Sequence, residues 1–250
     1  MLLHMLFLAR QSQLVETVSL KVDGVERSAL IYKNPRMDST RPELLPVVFV
    51  FHGHYGTDTQ ASRSYDVQDA WPGAIVVYPQ GLVTDSPLVG KGNGWQRAPG
   101  ENGDRDLKFV DALAKYLDSH YTVNKKRFYA CGMSNGAIFS IVLFAARPNL
   151  FSAFASVSGT GGTFLLRAKT PKPVLMINGT QDPLVKFPTA ELTRKFFLNL
   201  DGCSKTPSQN QGYDLYASPV GADVAWHQFD GGHRWPRFAT QEVVRFFKSH

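Results

Sequence analysis

The chain contains repeated short runs of consecutive apolar residues, each about as long as a β-strand. A continuous apolar run indicates a strand buried on both faces, which is typical of a parallel sheet. Two strand-like segments come first, at 14–22 and 25–32, and the Asp23-Gly24 pair between them is typical of a tight hairpin turn. The pattern predicts a mostly parallel sheet with an N-terminal antiparallel hairpin at one edge. The apolar runs are 47–51, 74–78, 128–131, 153–157, 174–177 and 224–229.

Segments with helical spacing lie between these runs. After Asp106, which we expect to be a helix N-cap, apolar residues recur at Leu107, Val110, Leu113 and Leu117. The alternation of strands and helices predicts an α/β fold with helices on both faces of the sheet. Three more helices are predicted over 135–147, which stops before a proline, 189–200 and 242–248.

One long segment, 81–105, fits neither pattern. Its 25 residues include six glycines and two prolines, so we expect a loop. Loops of this length are uncommon and are often functional lids or binding loops. The segment follows a predicted strand, and ligands in open α/β sheets bind at the carboxyl ends of the strands. Trp95 is therefore expected within reach of such a site.

The composition is that of a globular protein with a substantial core, since 43 % of the 250 residues are hydrophobic and 19 % are charged. No run approaches the roughly 18 apolar residues that a membrane span needs, so we expect no membrane partner. The net charge of +6 fits either a solvated basic surface or attraction of anionic substrates. Nothing resembles a nucleic-acid-binding module, so we expect no nucleic-acid partner.

We expect a single domain over 14–250, preceded by a short apolar segment at 1–13. That segment has no positive charge before its apolar run, unlike a typical signal peptide. Two alternatives stay open: a weak or clipped export signal, and a segment that packs on the domain. Cys131 and Cys203 permit a disulfide but do not imply one. Cys131 lies in an apolar strand, where we expect a buried thiol.

The chain from Gly132 to Gly136 reads Gly-Met-Ser-Asn-Gly and matches the pattern G-x-S-x-G. The match alone is weak, and the alternative is a glycine-rich turn with an incidental serine. Here a predicted strand precedes it and a predicted helix follows it, as in the nucleophile elbow of the α/β-hydrolase fold. Such a turn raises the serine hydroxyl above the sheet, so Ser134 is the predicted nucleophile. The backbone N–H of Asn135 is then one predicted oxyanion donor.

A serine hydroxyl needs a base to take its proton. In this fold the chain order is serine, then acid, then histidine, which leaves His227, His233 and His250. His227 lies inside the last predicted strand, where a structural role is expected, and His250 is the terminal residue. His233 lies in a glycine-flanked loop just after that strand. We therefore predict His233 as the base.

The acid is expected on a loop after an earlier strand. Asp182 lies in the segment 178–183, directly after the apolar run 174–177. A carboxylate there would hold the imidazole in the required tautomer and stabilise the imidazolium. Asp182 is the predicted acid, and four alternatives are less well placed along the chain. These are Asp201, Asp214, Asp223 and Asp230.

A second oxyanion donor is expected from the loop after the first buried parallel strand. That loop begins with the segment 52–57, His-Gly-His-Tyr-Gly-Thr. Its backbone N–H at His54 or at Tyr55 is the predicted donor, and the alternative is an ordinary turn. The pair His52 and His54 has no third ligand nearby in sequence and does not make a metal site.

Four segments together resemble the polyhydroxybutyrate depolymerase and feruloyl esterase family of α/β-hydrolases. The similarity runs from about Val18 to the C-terminus, and the segment 95–110 also looks like that family. The G-M-S-N-G elbow and the G-G-H-x-W-P sequence are specific in combination. The four segments are 52–56, 129–136, 178–182 and 231–236.

By this resemblance Ser134, Asp182 and His233 form a catalytic triad. Trp95 and Trp235 would flank the acyl or aromatic group of the substrate, since an aromatic ring offers a surface for stacking. The alternative for either tryptophan is core packing. We expect no cofactor and no metal.

The sequence departs from the family pattern at some positions. Arg234 stands where the family often has a small residue, and Arg237 follows it, which would place positive charge near the mouth of the cleft. Secreted members often pair a cysteine like Cys203 with another shortly downstream, and the segment 213–220 has none. The resemblance slightly favours a secreted or periplasmic protein over a cytoplasmic one.

The resemblance and the motifs together imply a serine carboxylic-ester hydrolase that acts through an acyl-enzyme. The expected substrates are feruloyl (aryl) esters or short-chain acyl esters, as small molecules or attached to a polymer in polysaccharide degradation. Four alternatives stay open: a depolymerase of hydroxybutyrate oligomers, an acyltransferase, a serine peptidase, and a non-catalytic binding protein on the same fold. The sequence does not indicate an oligomeric state.

Overall fold

The computed structural model describes residues 14–33, 44–210 and 212–250, so the predicted segment 1–13 lies outside the described residues. The helices are α1 (Asp58–Tyr65), α2 (Val67–Ala70), α3 (Arg105–His120), α4 (Asn135–Ala146), α5 (Phe187–Leu200) and α6 (Ala239–Lys248). The strands are β1 (Leu14–Val22), β2 (Val25–Lys33), β3 (Leu45–Phe51), β4 (Ile75–Pro79), β5 (Leu82–Ser86), β6 (Gly90–Gly94), β7 (Val123–Met133), β8 (Ala153–Val157), β9 (Val174–Gly179), β10 (Ser208–Asn210), β11 (Tyr213–Tyr216) and β12 (Val224–Phe229).

Most of these strands form one sheet, in the order β1-β2-β4-β3-β7-β8-β9-β12-β11-β10. The six central strands of this order, β4, β3, β7, β8, β9 and β12, are parallel to one another. They are the strands that the apolar runs predict. The hairpin β1–β2 adds antiparallel strands at one edge, and β11 and β10 add them at the other. The predicted α/β-hydrolase fold is confirmed.

Helices cover both faces of this sheet. On one face α3, α4 and α5 contribute Val110, Phe139 and Phe197 to a buried apolar cluster. On the other face α1, α2 and α6 do the same, with residues such as Tyr65 and Phe247. Because both faces are covered, the central strands contain continuous apolar runs, which explains why these runs show no alternation.

The helix predicted to follow Asp106 begins at Arg105, and Asp104 precedes it as the N-cap. The prediction that Asp106 is the N-cap is therefore wrong. Its carboxylate is fully buried and pairs with Arg27, at 2.9 Å between Oδ1 and Nη2. The other oxygen accepts a hydrogen bond from the backbone N–H of Gln96, at 2.9 Å. Asp106 thus neutralises the buried guanidinium of Arg27, a role that a local sequence pattern does not show.

The segment 81–105 is not a structureless loop. It contains the antiparallel hairpin β5–β6 and a short 3-10 turn at Glu101–Asp104. The strand β6 reads Gly-Lys-Gly-Asn-Gly, so it has none of the apolar or β-branched residues that predict a strand. Its glycines allow close contact instead, because a Cβ at Gly92 would lie 2.3 Å from the Tyr55 ring.

Other elements escaped prediction because their sequences are mostly polar. In α1 only Ala61, Ser62 and Tyr65 are buried, and the helix begins where the hydroxyl of Thr57 accepts a hydrogen bond from the N–H of Gln60, at 3.0 Å.

Two predicted helices begin earlier than expected. Helix α6 begins three residues before its predicted start, and α5 begins two residues before its own. Such shifts at helix ends are expected from sequence patterns alone.

No helix within 14–33, 44–210 and 212–250 is both long enough and apolar enough to span a membrane. The two cysteines are not bonded to each other. Cys131 is buried within β7, as expected, and Cys203 is partly exposed after α5.

A buried carboxyl lies far along the chain from the predicted nucleophile. Asp201 follows α5 directly and is 2 % exposed. Burial raises the pKa of this carboxyl from its ordinary value of 3.8 to about 8, and neither of its oxygens has a hydrogen-bond partner among the described residues. The folded protein therefore keeps this proton at pH values where the unfolded chain has lost it. Stability falls as the pH rises from about 4 towards 8.

We therefore expect Asp201→Asn to stabilise the protein by an amount that grows with pH. The amide cannot ionise, so the variant avoids the free energy that is needed to keep the buried carboxyl protonated at high pH. Its gain in free energy of unfolding should be larger at pH 8 than at pH 5 by roughly 2–4 kcal/mol, given about 1.4 kcal/mol per pKa unit. Urea unfolding of both proteins at the two pH values measures this, and an equal difference at both would contradict it.

Candidate active site

The predicted nucleophile lies in a sharp turn between a strand and a helix. Ser134 follows the end of β7 and precedes α4, with φ 55° and ψ −119°. Two flanking glycines make the turn possible. A Cβ at Gly132 would lie 2.5 Å from the Gly136 carbonyl, and a Cβ at Gly136 would lie 2.2 Å from the Phe51 oxygen. Both contacts are too close for any side chain, so the sequence pattern follows from the packing.

The structure brings His233 between Ser134 and Asp182. Its Nε2 lies 2.7 Å from Ser134 Oγ, and its Nδ1 lies 2.7 Å from Asp182 Oδ2. A carboxylate can only accept, so Nδ1 carries the proton and Nε2 is left to accept the serine proton. The Asp182 side chain is 1 % exposed, and that of His233 is 14 % exposed. The arrangement gives the hydroxyl a base whose tautomer is fixed.

The acid itself is held from the other side. Asp182 Oδ1 accepts hydrogen bonds from the backbone N–H groups of Leu184 and Val185, both at 2.8 Å. The loops that carry the acid and the base also touch directly, because a Cβ at Gly179 would lie 2.3 Å from the Gly231 oxygen. With three hydrogen bonds, the carboxylate has little freedom to turn away from the imidazole.

The alternative histidines lie elsewhere. The Nδ1 of His227 lies 2.9 and 3.0 Å from the two oxygens of Glu242, and its ring stacks on Phe238. His250 lies beside Asp223, with 3.6 Å between Nε2 and Oδ2. Neither ring contacts Ser134, so both histidines have structural surroundings.

The alternative acids also have other partners. Asp230 accepts a hydrogen bond from the Gln181 side chain at 2.6 Å, and Asp214 accepts one from Gln209. Asp201 is buried after α5, and Asp223 accepts the backbone N–H of Ser218. His233 forms its hydrogen bond with Asp182 instead of with any of these four.

The structure distinguishes between the two predicted candidates for the second oxyanion donor, Tyr55 and His54. The N–H of Tyr55 already donates to the Asn93 carbonyl at 2.8 Å, so the prediction that it serves as the donor is wrong. The N–H of His54 has no acceptor among the described residues. Its neighbour Gly53 packs on the nucleophile, since a Cβ there would lie 3.5 Å from Ser134 Cβ. This leaves His54 as the second candidate donor.

The first candidate donor is the N–H of Asn135. This residue is the first of α4, and the N–H groups of a helical first turn have no partner inside the helix. The helix dipole adds a partial positive charge at the same end. An oxyanion formed by attack of Ser134 would therefore have two candidate donors, the N–H groups of Asn135 and His54.

The prediction that Trp95 flanks the substrate is wrong. Its ring is completely buried and packs on Phe51 and Phe139, with centroid distances of 5.1 and 5.3 Å. No face of the indole is open to a ligand. The core-packing alternative holds for this residue.

Trp235 is only partly buried. One face of its ring stacks on Tyr65 at 4.3 Å, and its Nε1 donates to Thr240 Oγ1 at 3.0 Å. It also lines a cavity of about 420 Å³ together with Arg63 and Arg237. That it binds substrate stays a prediction.

The arginine beside the base turns towards the protein. The Arg234 guanidinium lies over the Phe229 ring, 5.6 Å from its centroid, although the residue is exposed. The hydroxyl of Ser158 donates to its carbonyl oxygen at 2.9 Å. The backbone next to His233 is thereby tied to the end of β8.

Sequence reasoning missed the part that His52 plays in shaping the site. Its Nε2 accepts the N–H of Gly81 at 2.9 Å, and its Nδ1 donates to the Gly53 carbonyl at 2.7 Å. Burial lowers the pKa of this imidazole to about 4, so it is neutral at physiological pH. The ring joins the two loops on either side of it. Only its position at a strand end was visible in the sequence.

Comparisons with known proteins find relatives among esterases. The sequence pattern of a family described as "Putative esterase" matches residues 27–184. A probable feruloyl esterase C from Aspergillus oryzae is 28 % identical over 187 residues, which cover 72 % of this chain and 60 % of that protein. A bifunctional acetylxylan esterase/xylanase from Neocallimastix patriciarum is 25 % identical over 160 residues, which cover 64 % of this chain and 22 % of that protein. The chain thus spans less than two thirds of the length of these relatives.

A solved structure shares the fold over almost its whole length. The acetyl xylan esterase from Aspergillus awamori superposes with a TM-score of 0.71 and 15 % identity, over 93 % of this chain and 99 % of that one. The feruloyl esterase part of the predicted resemblance is confirmed, while the polyhydroxybutyrate depolymerase part stays a prediction. The family pattern matches more than half of the chain, so the protein belongs to the family of putative esterases.

Proposed function

We propose that this protein is a serine carboxylic-ester hydrolase that acts through an acyl-enzyme, with Ser134, His233 and Asp182 as its catalytic residues. The observation that carries the proposal is the position of His233. It lies 2.7 Å from both the hydroxyl and the carboxylate, in the tautomer that lets it accept a proton. Hydroxyl, imidazole and carboxylate in this order are the parts that activate a serine for nucleophilic attack.

In the first half-reaction Ser134 Oγ attacks the ester carbonyl carbon while His233 Nε2 takes the hydroxyl proton. The carbonyl oxygen becomes an oxyanion and accepts hydrogen bonds from the N–H groups of Asn135 and His54. Such preorganised donors contribute about 2.7–4 kcal/mol each to transition-state stabilisation. When the tetrahedral intermediate collapses, the bond to the alcohol breaks and His233 gives its proton to the leaving oxygen.

In the second half-reaction water repeats these steps on the acyl-enzyme. His233 takes a proton from water, the hydroxide oxygen bonds to the acyl carbon, and Ser134 leaves with the proton returned by His233. Asp182 stabilises the imidazolium in both halves. Its two backbone hydrogen bonds, at 2.8 Å each, hold it in the orientation that this requires.

We infer the substrate class from the relatives. Their names refer to feruloyl esters and to acetylated xylan, so the substrate proposed here is a feruloyl or acetyl ester, small or attached to a polysaccharide. With Trp95 buried, Trp235 is the tryptophan of the predicted pair that remains for contact with an aromatic acyl group. A secreted or periplasmic location stays a prediction, and the segment 1–13 on which it depends lies outside the described residues.

A matched panel of esters tests the substrate class. It contains methyl ferulate, p-nitrophenyl acetate, p-nitrophenyl butyrate and a hydroxybutyrate oligomer, each compared by kcat/KM. A preference for methyl ferulate of about tenfold or more is the expected result for an aromatic acyl pocket, and Trp235→Ala should then reduce that preference. Equal rates, or a preference for the short aliphatic esters, would contradict the feruloyl assignment. Hydrolysis of none of them would contradict the ester hydrolase itself.

A further inference from the structure

The residue that carries the first oxyanion donor is tied to Trp95 by both atoms of its side-chain amide. Asn135 Oδ1 accepts the backbone N–H of Trp95 at 2.7 Å, and Asn135 Nδ2 donates to the Trp95 carbonyl at 3.0 Å. Asn135 is 6 % exposed, so these bonds form away from water. The position of the first turn of α4 is thereby linked to the chain that leaves β6.

The indole of the same tryptophan reaches the other donor loop. Its Nε1–H donates to the carbonyl oxygen of His52 at 2.9 Å. His52 is two residues before His54, whose N–H is the second candidate donor. The indole is held in place by Phe139, which stacks on it with 12° between the rings. Trp95 therefore contacts both segments that carry an oxyanion donor.

The residue before Trp95 shows how tightly these parts fit. A Cβ at Gly94 would lie 2.7 Å from Asn135 Oδ1 and 2.8 Å from His54 Nδ1. The His54 ring is fixed in turn, since its Nε2 lies 2.9 Å from the Gly90 carbonyl. The hairpin β5–β6 thus touches both donor residues at one point.

The residue after Trp95 anchors it to the rest of the fold. The side-chain oxygen of Gln96 accepts the N–H groups of Asp106 and Leu107 at the start of α3, at 3.2 and 3.3 Å. The buried Arg27–Asp106 pair holds that helix end against the sheet. Gln96 thereby ties the backbone next to Trp95 to the start of α3.

We propose that Trp95 is a positioning residue that sets the separation of the two oxyanion donors. This role rests on the proposed function. It differs from stacking on the substrate, because the ring acts from beneath the site through one N–H and two backbone groups. It predicts an effect on the tetrahedral intermediate and little effect on substrate binding, since only the former places a full charge on the donors.

The test is Trp95→Phe, which keeps an aromatic ring in the core but removes the bond to His52. We expect kcat on p-nitrophenyl acetate to fall about 10- to 100-fold, less than the 10²–10³ lost when an oxyanion donor is removed outright. KM should change by less than about threefold. The inhibition constant of an arylboronic acid, which forms a tetrahedral adduct with the serine, should rise by a factor close to the loss in kcat.

The chain offers a matched control in Trp226→Phe. Trp226 is also buried and belongs to the same apolar cluster, but its Nε1 donates to none of the described residues. It should therefore lose packing without losing a hydrogen bond, and kcat and boronate affinity should stay within about threefold of wild type. Active-site titration of each variant corrects the rates for any misfolded fraction.

A second variant covers the case that Trp95→Phe does not fold. Asn135→Ala keeps the backbone N–H and removes both side-chain bonds to Trp95, so it should lower kcat and boronate affinity together. Normal kcat in whichever variant folds would overturn the role of Trp95 while leaving the ester hydrolase intact. Absence of turnover in the wild-type protein would overturn both. Loss of kcat with an unchanged boronate constant would also overturn the positioning role.

Discussion

Replacing Ser134 by alanine is expected to lower kcat for ester hydrolysis by about 10⁴- to 10⁶-fold. The substitution removes the oxygen that bonds to the acyl carbon, and what remains is the contribution of the oxyanion donors and of binding. The melting temperature should change by only a few degrees, because the turn is fixed by Gly132 and Gly136 rather than by the hydroxyl. Rates on p-nitrophenyl acetate and a thermal melt of each protein measure the two quantities.

The control is a buried serine on the helix that follows the elbow. Ser140 donates to the carbonyl oxygens of Ala137 and Ala155, at 2.7 and 3.1 Å, and does not contact His233. Ser140→Ala should keep kcat within a few fold of wild type. Turnover by Ser134→Ala within tenfold of the wild-type rate would show that another group is the nucleophile.

Replacing Asp182 by asparagine is expected to lower kcat by about 10³- to 10⁴-fold. The amide occupies the same space, but its NH₂ group can donate to His233 Nδ1 and so favour the tautomer that points a proton at Ser134. The base would then be unable to accept from the hydroxyl. Leu184 and Val185 both donate to Oδ1, which the amide oxygen replaces, so both backbone bonds can persist and the loop should stay folded. The measurement is kcat at a pH where the wild type is fully active.

The neighbouring Asp230→Asn is the matched control for this variant. Asp230 lies three residues before His233 and bonds to Gln181, not to the imidazole. Its amide variant should keep kcat within about threefold of wild type. A loss at Asp230 as large as that at Asp182 would mean that the acid has been wrongly assigned.

The central sheet could be predicted because its chemistry is simple. A stretch of strand that is buried on both faces must be apolar, and each central strand contains such a run. These runs made β3, β4, β7, β8, β9 and β12 visible in the sequence. The hairpin β5–β6 has no such requirement. This hairpin is held in place by contacts with the loop after β3. One of them is the hydrogen bond from the Tyr55 N–H to the Asn93 carbonyl, which joins residues 38 positions apart. A local sequence pattern does not contain that information.

The predictions of site residues were right or wrong for a related reason. The positions of Ser134, Asp182 and His233 follow from strand order, since each lies just past the carboxyl end of a parallel strand. Whether Trp95 faces the core or the site depends on the conformation of a glycine-rich segment, and strand order does not decide this. Likewise, the sequence did not distinguish Tyr55 from His54 as the second donor. The difference is the hydrogen bond from the Tyr55 N–H to the hairpin, which is seen only in the structure.

The measurement that tests the central claim most directly is covalent labelling with a fluorophosphonate, followed by mass spectrometry of the intact protein and of its peptides. The proposed mechanism predicts one adduct per chain, located on Ser134 by fragmentation, and slow or absent labelling of His233→Ala. An unlabelled wild-type protein, or an adduct on any other residue, would contradict the claim that Ser134 is an activated nucleophile.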